Sequence, residues 1–193
     1  MFGRTSSSSP RTPPLVAVRE GPSRRAQELL RRRYLPSDVR VLFVGESPPA
    51  SGRFFYQQDS GLYRAVFETF RRVDSSLDHA NFLTLFAGAR CYLVDLCPEP
   101  VDRLASAPRR AACRAGEASL ARTISRLRPA TIVSVVRSIE DNVDRAASRA
   151  GWRGEVIRLP YPGRWQRSRA AFCDALVPTV RTLLRPTTRS GSQ

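Results

Sequence analysis

Lysine is absent from this 193-residue chain, so its 32 basic side chains are all arginines. That removes every mechanism built on a lysine side chain: Schiff-base lyase chemistry, pyridoxal phosphate attachment and the phosphate-binding P-loop. A GC-rich codon bias accounts for the absence too, and the chemical exclusion holds either way. Histidine is nearly absent. The one present, His79, lies in Leu77-Asp78-His79-Ala80-Asn81. A two-histidine metal site is therefore excluded, and the local pattern reads as a loop or helix start, with an exposed or capping role for His79. The four cysteines, at 91, 97, 113 and 173, contain no CxxC pair. No apolar run reaches the ~18 residues of a membrane span, and no apolar segment near the N-terminus resembles a signal peptide. Reduced thiols in a cytoplasm are the expectation. Acidic residues are few, 17 against 32 basic, for a formal charge of +15. A domain this basic usually meets a polyanion. DNA or RNA is the partner to expect first, ahead of an anionic membrane surface or a merely Arg-rich proteome, and no obligate protein partner is implied.

What is present suffices for one domain. Hydrophobic residues make up 41%, enough to bury a core without a metal or disulfide staple. Residues 1–22 read as a disordered basic arm, with a serine run at Ser6–Ser9 and four prolines. A transit peptide and a flexible arm that contacts DNA are both compatible with it. Residues 185–193 read as a second disordered tail, leaving 23–184 as the folded domain. Within it the pattern alternates. Helices are expected at 23–34 (capped by Ser23), from Asp59 or Ser60 to Val73, and at 81–88, 108–127, 138–150 and 167–184. Strands are expected at 39–44, 91–96, 130–136 and 155–159. Such alternation implies a three-layer α/β/α sandwich around a mainly parallel four-stranded sheet, with the site beyond the carboxyl ends of the strands. Three of the four segments following those strands are rich in proline, which suits rigid ligand-holding loops.

Gly45-Glu46-Ser47-Pro48-Pro49, followed by Gly52-Arg53-Phe54-Phe55 and Ser60-Gly61-Leu62, resembles the first motif of the uracil-DNA glycosylase superfamily, most closely its bacterial and archaeal iron–sulfur branch. Tyr92–Pro98 resembles the strand end that carries the family's base-reading Asn. Leu159–Trp165 resembles the His-Pro-Ser loop that enters the minor groove. The three segments occur in the family's order and span about residues 39–183.

The resemblance implies a monofunctional glycosylase that flips a pyrimidine from DNA and leaves an abasic site. It makes Glu46 the carboxylate that orients water and stabilises a cationic sugar, which suits the oxocarbenium-like state of N-glycoside cleavage. A structural role for Glu46, pairing with an arginine, is the alternative. Phe54 or Phe55 is expected to stack on the extruded base, with Phe55 the better candidate and the other ring in the core. Ser47 and Pro49 join the base pocket. Asp95 stands where the family has Asn. An ionised Asp only accepts hydrogen bonds, so it suits an exocyclic amine such as cytosine N4 rather than uracil O4. A protonated Asp95 would restore a donor, and simple pairing with an arginine is the structural alternative. Pro49 is smaller than the housekeeping branch's Tyr and leaves room for a 5-substituent. Tyr161 takes the place of the family's His and can still donate to O2 of the leaving base. Trp165 falls at the wedge position, with Arg164, Arg167 and Arg169 beside it to hold phosphates. Cys97 and Cys113 match the second pair of cluster ligands, but the first pair is missing, so no cluster, no metal and no other cofactor are expected. The base expected is a modified cytosine, hydroxymethylated or glucosylated as in phage DNA. Ordinary uracil repair and a catalytically silent DNA-binding relative are the alternatives.

Overall fold

Val41–Gly45 (β1) is buried at all five positions, the pattern of a central parallel strand covered on both faces. Cys91–Asp95 (β2), Thr131–Ser134 (β3) and Glu155–Arg158 (β4) complete a sheet in the order β2-β1-β3-β4, every pair parallel. The structure, a computed structural model, describes residues 23–163 and 165–185. The expected tails lie outside the described residues apart from Arg185, as does Arg164.

The helices are Arg24–Arg32 (α1), Gly61–Val73 (α2), Phe82–Gly88 (α3), Ser106–Leu127 (α4), Glu140–Arg149 (α5) and Gln166–Leu184 (α6). α2 packs on α6 and α4 on α5, giving helical layers on either side of the sheet. Local chemistry sets their ends. Ser23 Oγ accepts from Ala26 N–H at 3.3 Å, and Ser60 Oγ accepts from Tyr63 N–H at 3.1 Å, so Ser60, not Asp59, caps α2. α4 begins two residues before Pro108, which its first turn tolerates because the missing N–H has no partner there. α1 ends two residues earlier than expected, and β1 is shifted towards Gly45. Residues 137–139 form a 3₁₀ turn where the expected α5 was continuous. α6 carries Pro178 in its interior, at the cost of one helical hydrogen bond.

The core is aromatic on the α2–α3 side. Phe43, Phe70, Phe82 and Phe86 are fully buried, and each such ring contributes about 1.5–3 kcal/mol of burial free energy. On the opposite side Gly116 lets α4 approach β2, since a Cβ there would lie 2.3 Å from the Leu96 carbonyl oxygen. β2 is an edge strand, and at Leu93 the backbone groups turned away from β1 are satisfied by a side chain. Tyr56 Oη accepts from Leu93 N–H at 2.8 Å and donates to Leu93 C=O at 3.0 Å, which blunts the edge for further pairing. Among the described residues no helix is long and apolar enough to cross a membrane.

Candidate active site at the carboxyl ends of the strands

In this strand order the chain leaves β1 towards β2 on one side and returns to β3 on the other, so the switch point lies beyond β1 and β3. A cleft of about 570 Å³ opens there, lined by the loops after β1, β2, β3 and β4. It gathers most of the expected residues: Glu46, Ser47, Pro49, Phe54, Phe55, Asp95, Tyr161 and Arg169.

Glu46 follows directly on β1. Arg109, near the start of α4, grips it with two parallel bonds: Nε donates to Oε1 at 2.8 Å and Nη2 donates to Oε2. Ser138 Oγ donates to Oε1 at 3.4 Å. The bidentate fork fixes the carboxylate's plane. A carboxylate offers about four lone-pair sites, so one held this way can still accept from water or meet a cation. The hydrogen bond with Glu46 raises the Arg109 pKa further above its ordinary range. The structural alternative for Glu46, pairing with an arginine, is thus realised, but inside the cleft.

Asp95 ends β2 in register with Gly45. A Cβ on residue 45 would lie 2.7 Å from Asp95 Oδ1, so the glycine gives the carboxyl its place beside β1. Its side chain is 8% exposed, and Oδ2 accepts from Arg31 Nη2 at 3.1 Å. Burial pushes the Asp95 carboxyl up and Arg31 opposes the push.

The loop after β1 is laced down. Ser47 Oγ accepts from Val101 N–H at 3.2 Å, and Asp102 Oδ1 accepts from Ala50 N–H at 3.0 Å. Gly52, at φ 78°, turns the chain with its N–H on the Pro49 carbonyl, a conformation that favours glycine. Phe54 N–H donates to Asp59 Oδ1 at 2.7 Å. Phe54 and Phe55 are both buried and both line the cleft, so neither is a freely exposed platform. Phe55 is wedged among Tyr56, Tyr63 and Phe86, whereas Phe54 carries the Arg31 guanidinium 5.5 Å above its ring.

The mouth is different in character. Tyr161 is 55% exposed and Trp165, just before α6, is 70% exposed. An indole left in water beside Arg167 and Arg169 is not a core residue. Arg167 is exposed, and Arg169 lines the cleft.

Sequence reasoning missed Arg109, Arg31 and Ser138. In a chain with 32 arginines nothing local marks the two that face a carboxylate in the cleft. Cys97 Sγ lies 3.7 Å from Cys113 Sγ behind Glu46, while Cys173 and Cys91 turn to the carbonyls of Ala65 and Ala89. Burial pushes the Cys97 thiol up to about 12. Only two thiols meet, and an iron–sulfur cluster takes four, so the donor set does not fit one. His79 is exposed and stacks on Phe67, its Nδ1 3.1 Å from the Tyr63 hydroxyl, away from the cleft. No protein-family model matches the chain, and no curated protein is significantly similar to it.

Proposed function

We propose that the protein is a monofunctional DNA glycosylase that extrudes a modified cytosine and hydrolyses its N-glycosidic bond. The observation that carries this reading is the convergence of two carboxyl groups, Glu46 and Asp95, from adjacent strand ends in one cleft walled by Phe54 and Phe55. Trp165 fills the gap left by the extruded nucleotide, offsetting a few kcal/mol of unstacking. Asp95 accepts from the exocyclic amine. As the C1′–N bond lengthens, its electron pair passes to the base, and the Tyr161 hydroxyl donates to the base O2. Glu46 faces the sugar cation and accepts a proton from the attacking water. With no lysine for a Schiff base, the product is an intact abasic strand. A pocket that reads an amine must demand a further feature to spare ordinary cytosine, and a bulky 5-substituent on foreign DNA meets that demand. Defence against phage is the corresponding role.

One observation favours a second reading. Burial raises the Asp95 carboxyl, and a protonated Asp95 donates to uracil O4, which corresponds to uracil repair. The test is incubation with duplexes carrying uracil, cytosine, 5-hydroxymethylcytosine or its glucosylated form, then alkali to cleave abasic sites. Alkali-labile product from a cytosine derivative is expected. Release of uracil alone transfers the assignment to uracil repair, and no product from any duplex ends the glycosylase reading.

A further inference from the structure

Arg31 belongs to α1, which precedes the first strand and lies outside the resembling motifs. α1 buries none of its own residues fully; Leu30 packs partly against the core, Arg24 pairs with Glu99 at 3.5 Å, Tyr34 just past its end stacks on Tyr56 at 5.7 Å, and Arg31 reaches Asp95. The Arg31 side chain is 16% exposed. Its Nη1 donates to Glu28 at 3.3 Å, its Nη2 donates to Asp95 Oδ2 at 3.1 Å, and its plane lies over Phe54. Its Nε is buried without a hydrogen-bond partner among the described residues. Full satisfaction of the guanidinium has thus been given up for this one placement, which costs free energy and points to a purpose other than stability.

The placement divides the two oxygens of Asp95. Oδ2 is taken from behind by Arg31. Oδ1 has no hydrogen-bond partner among the described residues and lies against Gly45, which lines the cleft together with Asp95. Among the described residues the other titratable groups coupled to Asp95 are Tyr56, against the edge of β2, and Cys97; neither supplies a positive charge, so Arg31, which also pairs with Glu28, is the cation that compensates this carboxylate.

We propose that Arg31 is a specificity-determining positioning residue: by holding Asp95 Oδ2 it presents Oδ1 to the cleft as a hydrogen-bond acceptor and so selects bases that offer an amine. Without Arg31 a carboxylate this buried takes up a proton and becomes able to donate, which admits a base with a carbonyl at the same place. This rests on the glycosylase reading for its substrate, but the selection it describes occurs at binding, before any bond breaks.

The test uses the full chain and duplexes bearing 2′-fluoro nucleotides, which bind but resist cleavage, in parallel with the cleavable ones. Wild type, Arg31→Gln and Arg31→Lys are compared for the ratio of binding to 5-hydroxymethylcytosine and to uracil. Circular dichroism checks that each variant is folded. The ratio is expected to fall by about tenfold or more in Arg31→Gln, the worth of one base-reading contact, and to be restored at least in part by Arg31→Lys, which keeps the charge. An unchanged ratio in folded Arg31→Gln overturns the role of Arg31 while leaving the glycosylase reading standing. Selective binding that depends on Arg31 without release of any base overturns the glycosylase reading and leaves Arg31 in place. No selectivity in the wild type overturns the proposal outright.

Discussion

Glu46 is held by a guanidinium fork, a thiol and a hydroxyl, a degree of fixation that exposed carboxylates do not have. If it meets the sugar cation, removing its charge acts on turnover and not on affinity. Glu46→Gln is expected to lower the single-turnover rate by about 10²–10³-fold with duplex affinity nearly unchanged; equal rates would remove Glu46 from the chemistry. Trp165 has the opposite property, exposure to solvent. If it wedges the duplex, its value scales with the cost of flipping. Trp165→Ala is expected to reduce release from fully paired DNA by about tenfold while sparing mismatched or single-stranded DNA, since a few kcal/mol of unstacking is at stake only in the former. An equal loss on all three substrates marks Trp165 as structural.

The elements are held in place by buried polar ties as well as by the core. Glu117 on α4 accepts from Asn142 Nδ2 at 2.8 Å and from Arg145 Nε at 2.9 Å, both on α5. Burial alone would raise its pKa, but the bonds from Arg145 and Asn142 outweigh it and hold the carboxyl below the usual range. A depressed native pKa means that the stabilisation is present above the ordinary glutamate range and is lost as the pH falls through the native value. Arg145 is half exposed, so screening keeps the worth modest. Glu117→Gln is expected to cost about 1–3 kcal/mol in urea unfolding at pH 7, and the difference from wild type should shrink on acidification. A gap independent of pH would show that packing, not charge, is what the substitution disturbs. These helices matter to the site because α4 also carries Arg109 and Cys113.

Across the whole molecule the charge of +15 is the broadest feature. If it is a footprint for DNA, affinity falls with salt at a slope of roughly −0.9 in log K per phosphate neutralised. Binding of an unmodified duplex measured between low and physiological salt is expected to fall steeply. A flat response would detach the charge from nucleic-acid binding.

The alternation of helix and strand patterns determined by itself the three-layer class, the number of strands and the carboxyl-terminal end of the sheet as the place where the cleft opens. Those follow from hydrophobic period and from chain connectivity, which are local or topological quantities. Ser60 over Asp59 as the α2 cap was half legible, because both residues can cap and only the backbone's course chooses. Glu46, Phe54, Phe55, Asp95 and Tyr161 were legible as candidates through the resemblance of the segments that carry them, and all five line the cleft. What tertiary structure alone decided is who stands behind them. Arg109 lies 63 positions from Glu46, and Arg31 lies 64 from Asp95. Each is one arginine among 32, with no local pattern to distinguish it. The pairing of charges across such separations is set by where α1 and α4 come to rest on the sheet. The tilt of a helix depends on the sum of many packing contacts, and no short stretch of sequence carries it.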